Sequence, residues 1–216
     1  MPVFRSWGPA VARTSPLEAL RAGLGALVGL GLAGAFILGP EVDLRLGLYL
    51  IAPFGATSVL LFAVPNSPLA QPWSAIVGNM VAAAIGVAVC LSLADPVLRV
   101  ALAVGLTIAV TILCRAVHPP AGAVAMTAAL SPEAMAELGF RFVLAPVGLG
   151  TLVLVLVAIL YARLTGRRYP FRQFDDPNRH GTRDPAPGER LGLSEAELTA
   201  ILDRYRQSFN LGVEDL

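Results

Sequence analysis

Between Leu46 and Ala94 the chain carries no Asp, Glu, Lys or Arg. One helix needs about 20 residues to cross a hydrocarbon core about 30 Å thick, so this run must cross twice, or cross once and dip. The rest of the chain agrees: 56% of its 216 residues are hydrophobic and only 14% charged, where a soluble domain has about 25%. Mean hydropathy is +0.69. A lipid bilayer is therefore the first partner these residues predict. A net charge of +1 gives no reason to expect a nucleic acid.

The fold class expected is all-α, a polytopic membrane domain with six apolar segments at about 17–38, 46–64, 73–93, 97–113, 118–130 and 142–164. Four are comfortable full spans. The second is interrupted at Pro53 and Gly55, and the fifth is short and opens on Pro119 and Pro120. A helix of about 13 residues reaches only about 20 Å, so the fifth lies deep inside the protein or re-enters. No cleavable signal peptide is evident, because the first apolar run is long and follows Arg5, Arg13 and Arg21 without a small-residue cleavage pattern. Arginines before the first segment, and Arg163, Arg167, Arg168 and Arg172 after the last, put both termini in the cytoplasm, with a bacterial inner membrane as the setting. An even number of crossings follows, six or four with two re-entrant dips. Cys90 and Cys114 match no paired spacing and read as small buried hydrophobes.

Pro-x-Gly-Ala occurs at Pro53 and again at Pro120, and Ser-Pro closes both stretches. The chain can thus be divided into halves 17–93 and 97–164, an inverted repeat if each half crosses an odd number of times. Paired broken segments of this kind point to a site near the midplane. A helix that starts inside the membrane leaves its first N–H groups unpaired, with about half an elementary charge of positive character, which suits an anion. On this reading Pro120, Ala121, Gly122 and Ala123 form one anion-facing helix start. Pro53, Gly55, Ala56 and Thr57 form the other, with Ser58 adding a second hydroxyl.

The stretch "RAVHPPAGA", Arg115 to Ala123, with "GATSVLLFAVPNSPLAQPW", Gly55 to Trp73, and then Gly78 and Asn79, resembles the HPP family of integral membrane proteins over about 17–164. The resemblance implies a small polytopic domain usually described with four transmembrane helices. For plastid and cyanobacterial members it implies nitrite transport. Some relatives continue into a nucleotide-sensing pair of domains; with the sequence stopping at Leu216, none is expected here.

Each candidate residue also has a plainer role. His118 donates to an anion or relays a proton, or it caps a turn and bonds a carbonyl. Arg115 attracts the anion, or only marks the cytoplasmic end of a span. Pro119, Pro120 and Gly122 shape a ligand site, or a helix start without a ligand. Asn66, Ser67, Gln71 and Trp73 form a permeation gate, or a cytoplasmic turn with an aromatic anchor. Asn79 inside a span must find a partner, either a broken helix end or the ligand. Gly25 and Gly29, and Ala82 with Gly86, read as close-packing faces.

Two histidines, without H-E-x-x-H, C-x-x-C or G-x-S-x-G, are too few parts for a metal site or a hydrolytic triad, so no enzyme, metal or cofactor is expected. Residues 1–16 read as a cytoplasmic lead, 17–166 as the membrane domain and 167–192 as a polar linker. An amphipathic helix is expected at 193–216, with Ser194 and Glu197 as a capping box. The function these features predict is passage of a small inorganic anion, nitrite first, by a homo-oligomer. The alternative is a non-transporting membrane module that docks a regulatory or structural partner through its tail.

Overall fold

The computed structural model describes the backbone of residues 14–37 and 44–171. The linker beyond 171, the tail helix expected at 193–216, most of the lead and residues 38–43 lie outside the described residues. Seven helices are described, α1 (Pro16–Ile37), α2 (Leu44–Ala63), α3 (Pro72–Ser92), α4 (Pro96–Leu113), α5 (Pro119–Ala129), α6 (Pro132–Leu138) and α7 (Leu149–Leu164), with no strand among the described residues. Five of them open on proline, which costs nothing there because the first N–H groups of a helix have no intrahelical acceptor. Side chains satisfy other early donors: Asp95 Oδ1 accepts from the Leu98 N–H at 2.7 Å, and Ser15 Oγ from that of Glu18 at 3.2 Å.

Four helical stretches are long and apolar enough to cross a bilayer: α1 through Ala35, α3, α4, and the run Val143–Leu164 that ends in α7. They fall on the four comfortable spans of the hydropathy pattern. Their outward faces carry Leu24, Leu27, Leu102, Leu106, Leu156 and other large exposed side chains, as a lipid-facing surface should. The fifth segment forms α5, only 11 residues long, and packs against α2, α3 and α4. Its buried face is mostly alanine, so neighbouring backbones come close. A Cβ placed on Gly86 of α3 would lie 2.7 Å from Ala128 Cβ and 2.9 Å from the Ala125 carbonyl.

The first and last spans are also neighbours. Gly25 and Gly29 form a slot on α1 for the Phe62 ring, which meets Tyr161 of α7 edge-on with centroids 5.9 Å apart. Arg21 Nη2 donates to the Phe62 carbonyl at 3.0 Å, Tyr161 Oη donates to the Arg21 carbonyl at 2.8 Å, and Arg167 pairs with Glu18. Trp73 Nε1 donates to the Cys114 carbonyl at 3.2 Å. Tyr169 is buried, which pushes its phenol above the ordinary value and keeps it a donor, here to the Ala70 carbonyl at 2.9 Å. These bonds gather the starts of α1 and α3 and the ends of α2, α4 and α7 at one end of the bundle.

Two expectations about helix breaks need correction. Pro53 does not open a helix: α2 runs through it from Leu44 to Ala63, so Pro53, Gly55, Ala56 and Thr57 are interior positions. A proline removes one donor and crowds one carbonyl, whereas unwinding in an apolar slab would strand several groups at once, so the helix continues. The break that hydropathy hides is at Ala145, whose φ of −139° and ψ of 127° interrupt the last span just before Pro146. The Pro-x-Gly-Ala stretches therefore have different backbones, one inside α2 and one at the start of α5.

Candidate functional site

His118 is the residue before α5 and is 2% exposed. Its Nδ1 lies 2.8 Å from the Leu69 carbonyl, which can only accept, so Nδ1 carries a proton. Its Nε2 lies 3.0 Å from Thr57 Oγ1 of α2. In the neutral ring the Thr57 hydroxyl donates to Nε2. The imidazole thereby ties the start of α5 to α2 and to the short turn Pro68–Ala70 that precedes α3. Gly78 of α3 makes room for it, since a Cβ there would sit 2.8 Å from His118 Cβ and 2.7 Å from the Ala116 carbonyl.

The start of α5 differs chemically from the anion-facing helix start expected of it. Pro119 and Pro120 have no N–H to offer, and the Ala121 N–H donates to the His118 carbonyl at 2.8 Å. The same prolines that fix the helix start remove two of the backbone donors an anion would use, and the bond to His118 occupies a third. Gly122 and Ala123 are half-buried, and a Cβ at Gly122 or at Gly55 would meet nothing within 4 Å. Pro53, Thr57, Ser58 and Pro120 are buried, Gly55 is half-buried, and Ala56 and Pro119 are exposed.

Asn79 is fully buried and finds its partner on α7: its Nδ2 donates to Thr151 Oγ1 at 3.1 Å, and Thr151 donates on to the Val147 carbonyl at 2.8 Å. It thus ties α3 to the helix just beyond the Ala145 break. Its Oδ1 has no partner among the described residues, nor do Ser58 Oγ on α2, Thr107 Oγ1 on α4 and Arg99 Nε on α4.

Arg115 stands apart from this interior. It is exposed and has a φ of 53°, the one non-glycine residue described with a left-handed backbone. The Ala116 N–H reaches back to the Thr111 carbonyl and that of Arg115 to Ile112, at 2.8 and 3.0 Å. This is the ordinary left-handed helix stop. α7 ends in the same way, but with Gly166 at the left-handed position. Arg115→Gly should therefore raise stability by about 1 kcal/mol, seen as a higher thermal midpoint in detergent, because glycine removes the Cβ strain.

A polar stripe on α4 escaped the hydropathy reading. Arg99, Ala103, Thr107 and Thr111 are the buried residues of α4, each one helical turn from the next, while Leu98, Leu102, Leu106 and Ile112 face outward. A four-residue spacing of polar groups in an apolar helix is visible in the sequence and marks the face turned to the protein.

The family model for the HPP transmembrane region matches residues 11–170. The chain belongs to the HPP transmembrane family. Two curated transmembrane proteins of Dictyostelium discoideum are similar to it. One is 35% identical over 57% of this chain and 41% of its own length. The other is 36% identical over 56% of this chain and 44% of its own length. The HPP chain thus spans less than half the length of these curated relatives. No solved structure matches it. The His-Pro-Pro of the family name is here the junction at which α5 is fastened to α2 and to the turn before α3.

Proposed function

We propose that this HPP domain passes a small inorganic anion, nitrite in the first place, across the membrane. One observation carries the reading. The buried polar groups among the described residues are hydroxyls, one amide, one imidazole and one guanidinium, with no buried carboxylate. Unpartnered polar atoms are costly in an apolar slab and mark water or solute, and here Ser58, Thr107 and Arg99 can all donate to negative charge. The residues proposed to meet the anion are Thr57, Ser58, Asn79, Gly55, Ala56, Gly122 and Ala123. Pro53, His118, Pro119 and Pro120 shape their backbone, and Arg115 draws the anion to one end. Arg21, Arg115, Arg163, Arg167 and Arg168 cluster at the end where α1 starts and α7 stops, which supports a cytoplasmic placement of both termini. A homo-oligomer, an inner-membrane setting, and a linker and tail helix after residue 166 belong to the same proposal.

The test is flux into proteoliposomes with nitrite, nitrate, formate and chloride. Flux well above protein-free vesicles is expected, reduced several-fold in Gly122→Ala and Gly55→Ala, whose added methyl groups meet no neighbouring described atom within 4 Å and should not lower the thermal midpoint. The engaged ring of His118 and the proline-sealed start of α5 favour a second reading, a non-transporting membrane module, and absence of flux for all four anions would establish it.

A further inference from the structure

Arg99 is placed where an apolar domain has least use for a cation. It lies one turn into α4 and is 8% exposed, at the end of the bundle opposite His118. Burial of a guanidinium is ordinarily matched by a carboxylate. Here the ion pairs among the described residues are both made by Glu18, with Arg21 and Arg167. Asp95, one turn before Arg99, turns one carboxylate oxygen to the Leu98 N–H and forms no ion pair with Arg99 among the described residues. Glu133 and Glu137 on α6, which packs on α3 and α5, form no pair with it.

Of the five N–H donors of the guanidinium, one finds a partner among the described residues: Nη1 reaches Cys90 Sγ on α3 at 3.5 Å, a weak acceptor. Nε is buried and has none. Cys90 Sγ in turn lies 3.8 Å from the Ala129 carbonyl at the end of α5. Arg99 therefore sits where the end of α3, the start of α4 and the end of α5 meet. The carbonyl end of α5 offsets at most about half an elementary charge, and no carboxylate of the described residues pairs with the guanidinium.

We propose that Arg99 binds the anion at this second place, and that its planar fork selects anions presenting two coplanar oxygens, such as nitrite or formate, over a spherical halide. The inference rests on the anion reading above and deepens it. A guanidinium offers two parallel N–H groups to two oxygens, while a halide accepts them at a single centre. A small anion also supplies a paired negative charge that no described side chain provides. The rest of the buried α4 stripe, Thr107 and Thr111, continues from Arg99 toward the opposite end of the helix.

The test is the thermal midpoint of the purified full chain in detergent, titrated with sodium nitrite, formate or chloride against gluconate at fixed ionic strength. Nitrite and formate are expected to stabilise the wild type at lower concentration than chloride. Arg99→Lys, which keeps the charge and loses the fork, should weaken nitrite by about tenfold and bring it level with chloride. Arg99→Gln should abolish the response. The proposal is overturned if the wild type shows no response, if chloride acts as strongly as nitrite, or if either variant titrates like the wild type. Should Arg99→Gln fail to fold, Arg99→Lys decides. Flux measured in parallel separates the two readings: binding lost in the variants with wild-type protein that carries no flux leaves the site standing and removes transport. Unaltered binding in the variants with intact flux does the reverse.

Discussion

His118→Ala is expected to cost on the order of 3–5 kcal/mol and to do so in the absence of any anion. The substitution leaves the Leu69 carbonyl and the Thr57 hydroxyl without their partner, in a place where the ring is 2% exposed and water does not easily replace it. Each stranded buried group costs about 1–3 kcal/mol, and the cavity left by the ring adds to that. A lower midpoint of chemical or thermal unfolding in detergent measures the effect. Thr57→Val should cost less, and the double variant should cost less than the two single costs added, because both remove the same bond. If His118→Ala keeps the wild-type midpoint while losing flux, the imidazole is a ligand for the anion and not a fastening between α2, α5 and the turn before α3.

Gly86→Val is the second large effect, about 3 kcal/mol or more, with loss of folded protein as the visible outcome. A Cβ at that position already approaches Ala128 Cβ to 2.7 Å and the Ala125 carbonyl to 2.9 Å, and the two further methyl groups of valine have nowhere to go. A flexible side chain could turn aside, but a carbonyl within α5 moves only if the whole helix moves. The milder Gly86→Ala should be partly rescued by Ala128→Gly, which removes one of the two clashing atoms and leaves the carbonyl. Failure of that rescue in a midpoint measurement would mean that α3 and α5 do not meet along this face. The contrast with Gly122→Ala, where the new methyl meets open space, separates glycines that pack helices from one that leaves room beside the backbone.

Hydropathy and proline placement made the long helices legible. The spans ending in α7 and containing α1, α3 and α4 are uninterrupted in apolar character, and Pro72, Pro96 and Pro119 mark starts that the structure shows. Pro53 misled because a proline has two meanings in such a chain. At a first turn it is free, while in an interior it is tolerated when the alternative is to unwind in lipid. The Ala145 break was hidden because a single extended residue leaves average hydropathy unchanged. Asn79 could be singled out as needing a partner, but Thr151 lies 72 positions away and no local pattern names it. The partners of His118, 61 and 49 positions distant, were equally out of reach. The Arg99, Thr107 and Thr111 stripe could have been read from its four-residue spacing, and average hydropathy concealed it because charge and hydroxyls were diluted by leucine.

The bonding between the first and last spans bears on how the domain is made. Only 17% of the α1 window is buried, and its contacts to Tyr161 and Arg167 span 140 and 149 positions. At about 5–20 residues per second, a ribosome delivers those partners on the order of ten seconds after α1 has left it. Throughout that interval the nascent chain holds this helix mainly through Phe62 and its α2 neighbours. Translation arrested before Tyr161 would leave that helix half-unclasped, a natural target for proteases that clear unfinished chains from membranes.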